Sequence, residues 1–224
     1  MTWIVSRRMS AVHCGRAQGG LSLPLLARLA RTGYGRKIQA AREGGDMRDG
    51  GAANDEDGPL GVPGYDRVDA TVFRDTLARV PTPVTVVTSH IDRRPHGTTV
   101  SAFSSLSLDP PMILVSLDEN SDLLKIIQET GHFGVNVLAS GQQALATTFA
   151  RKGADKFAGV AWYMDHGAPR LAGKGQWLVC RTDQLVAAGD HVIIIGLVVH
   201  ADTHSFEPLL YRQRAFGTVT HMRS

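Results

Sequence analysis

Two cysteines, Cys14 and Cys180, are all the chain has, and they share no paired spacing. A disulfide framework or a thiolate zinc cluster has nothing to build on. So little cysteine fits a reducing compartment, and a cytoplasmic location is expected. Aromatic residues are scarce at 6%, so aliphatic side chains must supply the core. No apolar run approaches the roughly 18 residues of a membrane span. The longest, 192–199, is broken by Gly196 and suits a buried strand. Gly-x-Gly-x-x-Gly, a Walker loop and Gly-x-Ser-x-Gly are all missing. A nicotinamide cofactor, if used, is not held by a Rossmann domain. His200 and His204 lie four apart, but at a strand end, and the other histidines show no ligand spacing. No metal site is expected.

Positive charge is also missing where it would matter. Residues 1–46 hold eight Lys and Arg against two acids, while the remainder carries 16 bases against 19 acids. The net +3 of the whole chain therefore belongs to its leader. The body offers no electrostatic footprint for nucleic acid. Residues 1–65 are Gly-rich with weak periodicity. They are compatible with a targeting peptide, a disordered arm, or upstream residues ahead of a true start at Met47; disorder or a mis-annotated start is favoured. Limited proteolysis is expected to remove this leader. The folded body is expected over 66–224.

What is present alternates between short strands and few helices. Asp69 can cap a helix with Phe73, Leu77 and Val80 on one face. Pro81 and Pro83 stop it. The β-branched 83–89 reads as a strand, and the turn at 92–95 leads to a second strand over 97–103, a plausible hairpin. Residues 112–117 form a third strand. Asn120 or Ser121 caps a helix containing Leu123, Leu124, Ile126 and Ile127, and Gly131 sits where a helix C′ residue belongs. A strand over 133–138, a helix over 142–150, a polar loop, and strands at 177–186, 191–202 and 209–214 complete the set. The expected class is mostly β with flanking helices, an antiparallel Greek-key-like barrel.

The most informative stretch is 95–111. It packs small hydroxyl residues around Gly97 and ends in Pro110-Pro111. A strand built only to fill a core would carry more bulk. Small side chains and free N–H groups let a flat polar ligand approach closely. Three other segments each have two readings. Gly189-Asp190-His191 is either a turn or a titratable site at a strand mouth. Asn120-Ser121-Asp122 is either an ordinary cap or a phosphate-binding helix start. Residues 151–157 are either a solvated basic loop or a contact to phosphate or adenine.

These segments, in order, resemble the flavin reductase-like family, the short-chain NAD(P)H:flavin oxidoreductases on the FMN-binding split β-barrel. The matching pieces are 73–88, 96–111 with its Ser-Leu-Ser-Leu-Asp-Pro-Pro close, 116–121, Phe133-Gly134-Val135-Asn136-Val137-Leu138, 149–159 with Asp155-Lys156-Phe157, Gly189-Asp190-His191 and Pro208-Leu209-Leu210-Tyr211-Arg212. The resemblance covers roughly 66–220. It implies a homodimer that binds FMN or FAD and takes hydride from NADH or NADPH. His96, Gly97, Thr98, Thr99, Ser101 and Ala102 would line the flavin ring. Ser116, Leu117 and Asp118 would hold ring and ribityl chain. Ser121, Asp122, Thr148 and Phe149 would lie by the phosphate. Asp190 and His191 would face the nicotinamide, with His191 orienting it or supplying a proton, and Tyr211 and Arg212 would sit near the same pocket. A separate monooxygenase would receive the reduced flavin by diffusion. A split-barrel flavin store without reductase activity, or an enzyme with permanently bound flavin acting on an organic substrate, are the competing readings.

Overall fold

The computed structural model describes residues 67–153, 155–203 and 205–220. The leader expected over 1–65 lies outside them. Asp69 opens helix α1 (Ala70–Leu77): its Oδ1 accepts from the N–H groups of Thr71 at 2.8 Å and Val72 at 3.1 Å. The Val72 and Thr71 N–H groups hold its carboxyl below the ordinary range. The apolar stripe expected on this helix is present but not buried, since Phe73, Leu77 and Val80 are about half-exposed. Polar contacts hold the segment instead. Arg212 Nε donates to the Arg79 carbonyl at 3.0 Å, and Arg214 pairs with Asp75 at 3.0 Å.

The strands are β1 (Thr82–Pro83), β2 (Thr85–Ile91), β3 (Arg94–Val100), β4 (Phe103–Leu108), β5 (Pro111–Asp118), β6 (His132–Val137), β7 (Trp162–Asp165), β8 (Ala168–Leu171), β9 (Gln176–Ala188), β10 (His191–Ala201), β11 (Leu210–Arg212) and β12 (Ala215–Gly217). Helix α2 (Asp122–Thr130) follows β5, and α3 (Gln143–Ala150) follows β6. Seven strands form one antiparallel sheet in the order β3-β2-β6-β9-β10-β5-β4. Its edges are β3 and β4, so the barrel is split instead of closed. Small sheets β1-β11-β12 and β7-β8 flank it.

Hairpin turns set the registers. Asp92-Arg93, His166-Gly167 and Gln213-Arg214 each place both central residues at positive φ, the conformation that matches strand twist in a two-residue loop. Gly189 alone is positive in the β9–β10 turn, at φ 66.

Two expectations over the strands need correction. The second strand stops at Val100 and does not reach Phe103. Ser101 and Ala102 cross to a new strand, β4, whose residues pair with β5 through the Asp109-Pro110 turn. The polar loop after α3 contains the β7–β8 hairpin. Thr88 Oγ1 donates to the Pro169 carbonyl at 2.6 Å, and the Leu171 N–H donates to Asn136 Oδ1 at 2.8 Å, which docks that hairpin on the main sheet.

The core sits on both faces of β2. Val87 joins a cluster with Leu123, Leu124 and Ile127 of α2. Val86, with Val84 before the strand, joins Ala146 and Phe149 of α3. Successive strand side chains point to opposite faces, so a strand covered twice shows a continuous buried run instead of alternation. Gly131 ends α2 in the left-handed region at φ 71, with its N–H on the Ile127 carbonyl.

Candidate functional site

A cavity of about 850 Å³ opens between the β2–β3 hairpin, the start of α2 and the segment after α3. Its wall is made of Arg94, Pro95, His96, Gly97 and Thr98 from β3, Asp118 from the end of β5, Asn120 to Leu123, Ala150 to Gly153, and Asp155 to Phe157. The size suits a drug-sized ligand.

The start of α2 faces this space with unspent hydrogen-bonding capacity. Ser121 is the N-cap residue, yet its side chain makes no capping bond. Its hydroxyl and the first-turn N–H groups are thus open to an anion. The charges nearby are unequal in availability. Each of the three wall carboxylates already has a partner. Asp118 Oδ1 accepts the Asn120 N–H at 2.8 Å, Asp155 Oδ1 accepts the Phe157 N–H at 3.0 Å, and Asp122 pairs with Lys125 at 3.1 Å. Among the described residues, no carboxylate lies within ion-pair distance of Arg94, Arg151, Lys152 or Lys156. The wall thus sets four basic side chains against three carboxylates, one of which is paired with Lys125, and this small positive excess can be used by an incoming phosphate.

Lys156 differs from the other three because it is half-buried. Its Nζ donates to the carbonyls of Gly97 at 3.2 Å and Phe149 at 3.0 Å. Burial lowers its pKa. Gly97 itself has little room: a Cβ there would lie 3.0 and 3.1 Å from ring atoms of Phe149. Its smallness lets α3 pack on β3.

Of the residues expected from the sequence, His96, Gly97, Thr98, Asp118, Ser121 and Asp122 line the cavity together. Ser116 is on the same side of β5 as Asp118, two residues away, while Leu117 points into the core. Ser101 and Ala102 are exposed at the β3–β4 crossing. Thr99 turns away from the cavity and donates to the Ala146 carbonyl at 2.7 Å. Phe149 is fully buried against Phe157, with ring centroids 4.8 Å apart. Thr148, on α3, does not line the cavity either. Tyr211 and Arg212 lie exposed on the small sheet, where Tyr211 meets Phe216 at 5.3 Å.

Asp190 and His191 are not among the wall residues, but the ladder sets them beside one that is. In the β10–β5 register His191 stands opposite Asp118, and the Glu119 N–H donates to the Asp190 carbonyl at 3.1 Å. Residues opposed across an antiparallel pair lie roughly 5 Å apart at Cα. His191 Nδ1 is 2.7 Å from Asp190 Oδ1, and this hydrogen bond lowers the Asp190 pKa. That contact fixes the ring and leaves Nε2 free.

Sequence reasoning left Arg94, Pro95, Asn120 and the segment 150–157 out of the chosen site residues. The signal in 151–157 was the basic run itself, which a solvated loop would show equally.

An open antiparallel barrel with flanking helices and a cleft at a helix start belongs to the split-barrel class. The particular family follows from comparison with known proteins: the flavin reductase like domain pattern matches residues 77–220, and the chain belongs to that family. It is 39% identical over 150 residues to the reductase component of 4-nitrophenol 4-monooxygenase/4-nitrocatechol 2-monooxygenase of Rhodococcus opacus, covering 67% of this chain and 81% of that one. It is 37% identical over 148 residues to an NADH:FMN oxidoreductase of Rhodococcus erythropolis, covering 63% of this chain and 77% of that one. Among solved structures, the NADH:FAD oxidoreductase SgcE6 of Streptomyces globisporus C-1027, in complex with NAD and FAD fragments, superposes with a TM-score of 0.65 at 32% identity, covering 70% of this chain and 98% of that one.

Proposed function

We propose that the chain is an NAD(P)H-dependent flavin reductase that supplies reduced FMN or FAD to a separate monooxygenase. One observation carries the reading. A cavity with four basic side chains outside ion-pair distance of any described carboxylate, and with an N-cap hydroxyl that makes no capping bond, lies next to the Gly-Asp-His turn. The residues present fit a flavin: the β3 wall from Pro95 to Thr98 for the ring, and the α2 start with Arg94, Arg151 and Lys152 for the phosphate. When bound, flavin accepts hydride from nicotinamide at its N5. The protein's part is to stack and orient two rings and to exclude water. In this reading His191, held by Asp190, hydrogen-bonds the nicotinamide amide or delivers a proton from Nε2. The family likeness and the names of its relatives support the reaction and the partner oxygenase.

The half-exposed apolar face of α1 fits a homodimer in which a second copy covers it. Among the described residues, no helix is long and apolar enough to cross a membrane, which agrees with a cytoplasmic enzyme. The body over 66–224 acts as one functional domain in this reading. The test is loss of absorbance at 340 nm with NADH or NADPH, with and without added FMN or FAD. Flavin-dependent loss supports the reading and ranks both cofactors. A chain that binds flavin but consumes no nicotinamide refutes it.

A further inference from the structure

Three of the basic residues around the cavity are exposed on its rim, but Lys156 is set into the wall. Two neutral carbonyls hold its ammonium, those of Gly97 on β3 and Phe149 at the end of α3. No described carboxylate lies within ion-pair distance of it, although Asp155 shares the wall. An ammonium removed from water costs free energy that two carbonyl dipoles only partly restore. Such a charge gains most from an anion that forms beside it in a shielded place. Gly97 belongs to the strand segment that lines the cavity, and its carbonyl holds the ammonium there. In the proposed function the exposed Arg94, Arg151 and Lys152 serve the phosphate.

We propose that Lys156 is the fixed positive charge that stabilises the reduced, anionic flavin in this cavity. The inference rests on the proposed flavin site. Hydride transfer moves two electrons and one proton from nicotinamide C4 to flavin N5, leaving the nicotinamide cationic and the flavin with one added negative charge. Lys156 acts on that product charge as an electrostatic partner and exchanges no proton. It therefore favours reduced over oxidised flavin, a preference that a loop tie or a phosphate contact would not produce.

The test is anaerobic titration of the full chain with oxidised and with reduced FMN, repeated with riboflavin, which lacks the phosphate. Lys156→Gln keeps a donor for the two carbonyls and removes the charge. Lys156→Arg keeps the charge. Thermal melts establish which variants fold, and Lys156→Met, an uncharged chain of similar length, carries the loss-of-charge arm if Gln does not fold. In Lys156→Gln, reduced flavin weakens about tenfold more than oxidised flavin, which is a fall of about 30 mV in the bound two-electron potential. The same differential appears with riboflavin, and Lys156→Arg keeps the parent's preference for reduced flavin. Equal weakening of both redox states, loss confined to FMN, or no loss overturns the proposal, as does Lys156→Arg lacking the preference. If the unaltered chain binds no flavin at all, the functional reading fails and takes this inference with it.

Discussion

Replacing Gly97 by Ala tests whether close packing of α3 on β3 holds the cavity wall in place. The new methyl would stand 3.0 Å from Phe149 Cε1, 3.1 Å from its Cδ1 and 3.2 Å from Thr88 Cγ2. These are contacts that must open by a few tenths of an ångström. Phe149 cannot yield freely, because it is fully buried and meets Phe157 edge-on. Crowding of this kind costs roughly 1–3 kcal/mol. A body of this size loses about 2–4 °C per kcal/mol, so Tm should fall by about 2–12 °C. Gly134→Ala provides the scale, since its methyl would come within 2.2 Å of the buried Trp177 ring. Its loss should be the larger. Calorimetry of both variants is the assay. FMN binding should weaken in Gly97→Ala as well, because the displaced strand and helix carry both carbonyls that hold Lys156. An unchanged Tm in Gly97→Ala, or a loss exceeding that of Gly134→Ala, would refute the reasoning.

Three further predictions stand on single contacts. His191→Ala raises the KM for NADH or lowers turnover by a few-fold to about tenfold, the worth of one hydrogen bond, and leaves flavin affinity intact; steady-state kinetics with no change in either constant contradicts its placement. The Arg170 hydrogen bond holds the Asp165 carboxyl below its ordinary value of 3.8. The unfolded chain therefore binds that proton first as the pH falls, and the contribution, full at neutral pH, is lost below the ordinary carboxyl range. Asp165→Asn should be less stable than the parent at pH 7 and lose less on acidification to pH 3; parallel curves in denaturant titrations contradict the pairing. Burial pushes the Cys180 thiol up to about 12, so mass spectrometry after iodoacetamide treatment at pH 8 should find Cys180 unmodified until the protein is unfolded.

Much of the fold was legible because local chemistry and tertiary structure agree. Asp69 caps, Gly131 terminates, and the β-branched run in β2 makes a strand buried on both faces. The boundary between β3 and β4 was hidden because Ser101 and Ala102 continue the small-residue pattern on either side of the crossing. The β7–β8 hairpin was hidden because its strands are four residues each and its anchors, Thr88 and Asn136, lie far away in the chain. The site was partly legible for the same reason. His96, Gly97, Thr98, Asp118, Ser121 and Asp122 sit in two short segments that the ladder and the helix start bring together. Lys156 and Arg151 enter the cavity only through the packing of α3 on β3, which no spacing in the chain encodes. Phe149 and Thr99 follow the same rule in reverse: they neighbour the site in sequence, but their side chains serve the α3 contact.

The most direct measurement compares flavin-dependent NADH oxidation at 340 nm in the parent chain and in Thr98→Trp, a substitution on the cavity wall that fills the space while a thermal melt monitors folding. The account predicts oxidation that requires added flavin in the parent and is lost in folded Thr98→Trp. Undiminished activity in that variant would place the reaction elsewhere, and a parent that binds flavin without oxidising NADH or NADPH would contradict the proposed reaction itself.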